Sequence, residues 1–256
     1  MTDSTASLHR RDLTIGSIPG HLVAFSLPLL LGNVLQALYN TVDSIWVGQF
    51  VGAAALGAVS ASFPIIMFLV ALLMGVSMAS TVLVSQFAGA RQYDMVRKTI
   101  ANSLTLAALG SAVVTVVGFA LSERMLALLN VPLEIRPMAL SYLKVHFLGT
   151  LFMTGYIFVS AILQGLGDSK TPVKFLALAV VLNLVLDPFF IVGIGPLPPL
   201  GVAGAAIATV ISHAVSFILA IWYLGRDGKL LDLRGFRLRL DKELTRKTLV
   251  VGLPSG

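Results

Sequence analysis

The chain has 256 residues, 57% of them hydrophobic and 12% charged, with a net charge of +6. A soluble domain carries about 25% charged residues, so a soluble fold of this composition would lack the polar side chains to cover itself, and the surplus apolar surface requires lipid. There are no cysteines, which excludes a disulfide framework and a thiolate metal site; the basic excess reads as the cytoplasmic-loop bias of membrane proteins rather than as a nucleic-acid surface.

Residues 1–20 form a polar cytoplasmic tail, Ser/Thr-rich to Ser7 and then basic at Arg10 and Arg11. The apolar run from about His21 to Phe50 is longer than the 7–15 residues of a signal-peptide core, so it predicts a retained membrane helix. A span needs roughly 20 mostly apolar residues, and six segments qualify, at about 21–49, 56–86, 96–121, 135–164, 172–194 and 201–224. Gly165 to Asp168 marks the turn before the fifth helix, and Gly193 to Gly201, with Pro196, Pro198 and Pro199, the turn before the sixth. The expected fold is an all-α integral membrane protein with a six-helix transmembrane lobe over 21–224.

The lysines and arginines orient it. All but three of the 18 fall on one side, at residues 10–11, 91–98, 170–174 and 226–247; Arg124 and Arg136 lie opposite, and Lys144 lies inside the fourth helix. The positive-inside rule then puts the N-terminus and both ends of the lobe in the cytoplasm.

Residues 225–247 read as a cytoplasmic basic linker. Leu230, Leu231, Leu233, Phe236, Leu238 and Leu240 are interleaved with its charges, which fits either a solvated connection or an amphipathic segment on anionic headgroups. Residues 248–256 begin a seventh helix, where Gly252-Leu253-Pro254 echoes Ser26-Leu27-Pro28 of the first. An even number of spans per repeat gives a parallel repeat, so the chain reads as one lobe plus the start of a second.

Ionisable residues within membrane spans are costly and mark functional sites. Asp43 lies roughly 10 Å below the outer end of the first helix, and Asp187 lies at a similar depth in the fifth. Thr209 is about 12 Å inward from Gly201 in the sixth. Tyr39 stands one turn from Asp43 and Asn183 one turn from Asp187, and i, i+4 residues share a helix face. Two carboxylates, an amide, a hydroxyl and a phenol are therefore expected at one level. Such oxygens suit a hard cation of the Na⁺ or Ca²⁺ type. The carboxylate pair is equally a proton site, because two close carboxylates in low dielectric do not both ionise cheaply. Pro188 and Pro28 free the carbonyls of Leu184 and Ala24, and each fits a static kink or a hinge. Tyr142 and His146 are also i, i+4, with Lys144 pointing away from both; His146 is a cavity candidate or a hydrogen-bonded core histidine.

Together these segments resemble the N-terminal lobe of the multidrug and toxic compound extrusion (MATE) transporters. The residues that carry the resemblance are Pro28 to Asn33 with Tyr39 to Asp43 and Val47-Gly48, Gln164 to Pro172, Asn183 to Pro188, and Gly201 to Thr209. The resemblance implies half of a twelve-helix, two-lobe antiporter that exports small organic cations or drugs in exchange for Na⁺ or H⁺, with a cation or proton site at Asp43, Asn183, Asp187 and Thr209. It implies cavity residues at Tyr39 and Tyr142, a bending proline at Pro28, and a departure at Ser160, where some relatives carry asparagine.

The expected partners are organic cations, membrane lipid and a second lobe, with no nucleic acid and no organic cofactor. The expected location is a bacterial-type inner membrane. An enzyme reading lacks support, because neither a Gly-x-Ser-x-Gly elbow nor an HExxH pair occurs. A flippase for lipid-linked oligosaccharides is the alternative; its cavity would be rich in arginine, whereas the intramembrane charge here is mainly acidic.

Overall fold

The structure, a computed structural model, describes residues 17–194, 198–225 and 240–252. Among the described residues six helices are long and apolar enough to cross a membrane. They are α1 (Ile18–Phe50), α2 (Ala53–Gly89), α3 (Tyr93–Leu128), α4 (Arg136–Gly165), α5 (Lys170–Pro188, continued by a π-helical turn Phe189–Gly193) and α6 (Val202–Gly225). A shorter α7 spans Lys242–Gly252. In hydrocarbon every backbone polar group must find an internal partner, which favours unbroken helices. Hydroxyls follow the same rule: Ser62 and Ser80 donate to carbonyls one turn back, at 2.8 and 3.0 Å.

Helix α4 is the axis of the bundle and packs against α2, α3 and α6. Buried residues make up 67% of its span but only 6% of that of α1. Its Leu143, Phe147, Phe158 and Ile162 are fully enclosed. Gly149 lets α6 approach closely, since a Cβ there would collide with the Val210 side chain. Helix α1 lies on the periphery, mainly against α5. It exposes Leu27, Leu30, Leu31 and Val34 and also the amides Asn33, Gln36 and Asn40, which share a face by their spacing.

The structure corrects three boundaries. Helix α1 begins at Ile18, inside the expected 1–20 tail, because Pro19 in the first turn has the fixed φ a helix start favours; residues 1–16 lie outside the described residues. The fifth span does not run straight to 194. After Pro188, which brings no N–H, the ladder widens into the π turn, and the strand-like return is sewn to it by Leu200 N–H to Phe190 O and Gly201 N–H to Ile191 O, both 3.1 Å. The seventh helix starts at Lys242, not 248, because Asp241 caps it: its Oδ1 accepts the N–H groups of Glu243 and Leu244 at 2.9 and 3.0 Å. The rest of the expected linker, residues 226–239, and residues 253–256 lie outside the described residues.

Helix α7 packs on α2 and α3. The Asn102 Oδ1 of α3 accepts both the Asp241 N–H (3.0 Å) and the Thr245 hydroxyl (2.9 Å). Leu244 and Thr248 are buried in the seam, and Gly252 comes against the Gly75 carbonyl of α2.

Candidate functional site

Asp43 on α1, Asn183 and Asp187 on α5, and Thr209 on α6 meet inside the bundle. The Thr209 hydroxyl donates to Asp43 Oδ2 at 3.1 Å, across 166 residues of sequence. The Asn183 amide donates to Asp187 Oδ1 at 3.0 Å. Asp43 also lies close to Asp187 and Asn183. Asp187 is 0% and Asn183 1% exposed, while Asp43 is half-buried.

These bonds leave Asp43 Oδ1, Asp187 Oδ2, Asn183 Oδ1 and the Tyr39 hydroxyl buried with no hydrogen-bond partner among the described residues. A buried polar atom without a partner costs on the order of 1–3 kcal/mol, and more when it is charged. Three of the four are acceptors, so a proton or a cation satisfies the set at a stroke. The donor chemistry fits: carboxylate, amide and hydroxyl oxygens suit a hard cation such as Na⁺. Among the described residues no group of three or more histidine, aspartate or glutamate side chains gathers for a metal, and the cluster reaches its oxygen count only through Asn183, Thr209 and Tyr39.

Proline placement supports the arrangement differently at its two ends. Pro28 sits within a continuous α1, with the Ala24 carbonyl left without its helical donor. Pro188 directly follows Asp187 and marks where α geometry gives way to the π turn; such turns recur at functional sites.

The cavity expectations divide. A cavity of about 510 Å³ opens between α1, α2, α4 and α5, and Ser160 lines it with Asn33, Gln36, Thr81, Tyr156 and Gln164 among the polar groups and Met74 and Met78 among the apolar ones. Tyr39, Tyr142 and His146 do not line it; all three are buried, the two tyrosines near the carboxylates and His146 stacked on Tyr142 at 5.9 Å. No acidic or basic residue lines this cavity, so the expected acidic character belongs to the carboxylate cluster and not to the open space. The physical reason is height: the cavity residues of α4 and α5 lie toward the Gly165–Lys170 turn, several turns from Asp187. His146 has both ring nitrogens unpartnered, against the hydrogen-bonded alternative. Lys144 faces away, its ammonium 5.3 Å from the Phe119 ring centre.

The sequence reading missed His213. It is 6% exposed, 5.5 Å from Tyr39 and 6.1 Å from Tyr156 between ring centres. The signal was available, because His213 follows Thr209 by four residues and so shares its face.

Six membrane-length helices around a buried set of oxygens from three of them define a multi-pass membrane protein with an intramembrane polar site. The family profile described as MatE matches residues 28–189. The probable multidrug resistance protein YpnP of Bacillus subtilis (strain 168) is 39% identical over 214 residues, covering 83% of this chain and 47% of that protein. An FAD transporter of Shewanella oneidensis is 27% identical over 227 residues, 89% of this chain and 50% of its own length. A solved structure of a multidrug resistance MATE family transporter of the MOP superfamily, in an outward-facing conformation, aligns with a TM-score of 0.84 at 28% identity, covering 100% of this chain and 54% of that one. The chain thus spans about half the length of the curated relatives it matches. It belongs to the MatE family, and its fold is that of one MATE lobe. This is a family of transporters and not of enzymes.

Proposed function

We propose that the chain is the ion-binding half of a secondary antiporter that exports small organic cations or drug-like compounds in exchange for H⁺ or Na⁺, working with a second lobe in a bacterial-type inner membrane with its N-terminus in the cytoplasm. The observation that carries this reading is the set of unpartnered oxygens on Asp43, Asp187 and Asn183, drawn from α1 and α5, with α6 joined to α1 through Thr209. A site that binds one proton or one cation on helices able to shift relative to each other is what coupling needs: ion binding then has a different free energy in each arrangement.

The cargo is the less constrained part. Relatives carry names for multidrug resistance and for FAD transport, so the named cargo differs among them. The open cavity here offers amides, hydroxyls and methionines, which suit flat, hydrogen-bonding amphiphiles. The absence of Lys and Arg from its lining weighs against the flippase alternative, whose diphosphate headgroup would call for basic partners.

The test is Asp187→Asn in this lobe expressed together with its second lobe. Energised export of a cationic dye, followed by fluorescence in everted vesicles, is expected to fall to background while expression stays normal. Undiminished export would assign coupling to other residues.

A further inference from the structure

We infer that His213 is a proton relay between the carboxylate cluster and the cavity on the α4–α5 turn side of the bundle, the cytoplasmic side by the basic-residue bias. The inference rests on the proton form of the proposed coupling and adds a route to it.

The geometry is a chain of polar groups running toward that turn. The carboxylates stand at the outer level with Thr209. Tyr39 is one turn inward on α1 and His213 one turn inward on α6. Their rings are 5.5 Å apart between centres. Tyr156 of α4 lies 6.1 Å from His213 on the other side, and its ring lines the 510 Å³ cavity. Ser160, one turn further along α4, lines the same cavity. His213 is therefore the group that spans between a residue beside the carboxylates and a residue at the cavity wall.

Its hydrogen bonding fits a relay better than a structural role. A buried histidine kept for structure has its nitrogens paired. Here Nδ1 is buried without a partner, as are the hydroxyls of Tyr39 and Ser160. The three rings lie side by side; the Tyr156 hydroxyl donates to the Pro172 carbonyl at 2.7 Å, so the proton reaches the imidazole through water in the cavity beside that ring. The titratable groups that face His213 are Tyr39 from α1 and Tyr156 and His146 from α4, with the Asp43–Asp187 pair one turn outward. Between the tyrosines, imidazole is the group that can take a proton on one nitrogen while releasing one from the other. The step balances: one proton enters from the cavity side, one leaves toward Tyr39, and a carboxylate of the cluster ends protonated.

The test uses the chain itself in proteoliposomes of uniform orientation. Trp46 is three residues from Asp43 and stacked on Phe50 at 5.0 Å, so with Trp222→Phe its fluorescence reports the cluster after a stopped-flow acid jump. A fluorescence step that disappears in Asp43→Asn/Asp187→Asn is expected. His213→Ala should slow that step roughly 100-fold, the scale of lost proton-transfer catalysis, for a jump on the cytoplasmic face only. Its amplitude and midpoint should stay unchanged, and added imidazole should restore the rate. If His213→Ala does not fold, His213→Gln keeps the volume and takes its place. An unchanged rate overturns the relay and leaves the carboxylate site standing. Equal slowing from both faces, or a shifted midpoint, also overturns it by making His213 a structural support. A step that survives the double Asp variant, or no step at all, overturns the proton reading and the relay together.

Discussion

Removing the Thr209 hydroxyl would leave Asp43 with neither oxygen partnered, because Oδ1 already lacks a donor and Oδ2 has Thr209. Thr209→Val keeps the side-chain outline and removes only that bond. The expected outcome is a shift of about tenfold in coupling-ion affinity, from a lost hydrogen bond to a charged group worth roughly 1.5 kcal/mol. It is read as a displaced midpoint when thermal stability is titrated with Na⁺ or pH, since a ligand of the folded state alone raises its stability. An unmoved midpoint would take Thr209 out of the site. This residue was legible in the sequence by arithmetic: a rise of about 1.5 Å per residue places Asp43, Asp187 and Thr209 at one height, and the 3.1 Å contact follows. His213 obeys the same i, i+4 rule from Thr209, but counting from the carboxylates alone passes over a neutral ring in an apolar helix. The cavity was less legible, because whether Tyr39 or Ser160 faces open space depends on how α1 and α4 are rotated. Hydropathy says nothing about rotation.

Helices end where hydrogen bonding ends, and hydropathy ends where hydrocarbon ends. That is why α3 runs to Leu128 rather than 121, through Ser122, Glu123 and Arg124. It is also why the expected helical segments were short at both ends of α1, α2 and α3. The π turn has no sequence period of its own to read; it forms because Pro188 breaks the ladder while Leu200 and Gly201 supply donors from the returning chain. The turn is held by contact as well. A Cβ on Gly204 of α6 would collide with the Phe190 carbonyl, and backbone cannot swing aside as a side chain can. Gly204→Ala is therefore expected to destabilise the lobe by about 1–3 kcal/mol and to displace Asp187, three residues before Phe190, with loss of ion-dependent stabilisation. Gly201→Ala is the comparison: a Cβ there has room beside Val51, so the cost is the strain of its +56° φ alone, about 1–2 kcal/mol. Thermal unfolding in detergent ranks the two, and an equal or reversed order would refute the clamp.

At the scale of the molecule, ion binding and transport should come apart. Asp43, Asn183, Asp187 and Thr209 all lie in this lobe, whereas alternating access in such folds rocks one repeat against another. Reconstituted alone, the chain is expected to show ion-dependent thermal stabilisation and no dye export under an H⁺ or Na⁺ gradient. Robust export would point to a six-helix carrier that works without a second lobe. The seat of α7 on Asn102 and Gly75 makes that helix part of this lobe's packing.

Helix α1 carries the last consequence. Its exposed Asn33 and Gln36 line the open cavity, with Asn40 following on the same face, within a membrane-length span. A primary amide turned toward acyl chains forfeits hydrogen bonds worth several kcal/mol. The ring of annular lipid around this lobe is accordingly interrupted along α1, and the gap must be filled by water or by protein. Acyl-chain spin labels or brominated lipids, which report side chains touching hydrocarbon, should see Met67 and Phe68 of α2 and Val113 and Val116 of α3, all exposed, and should leave this one stripe dark.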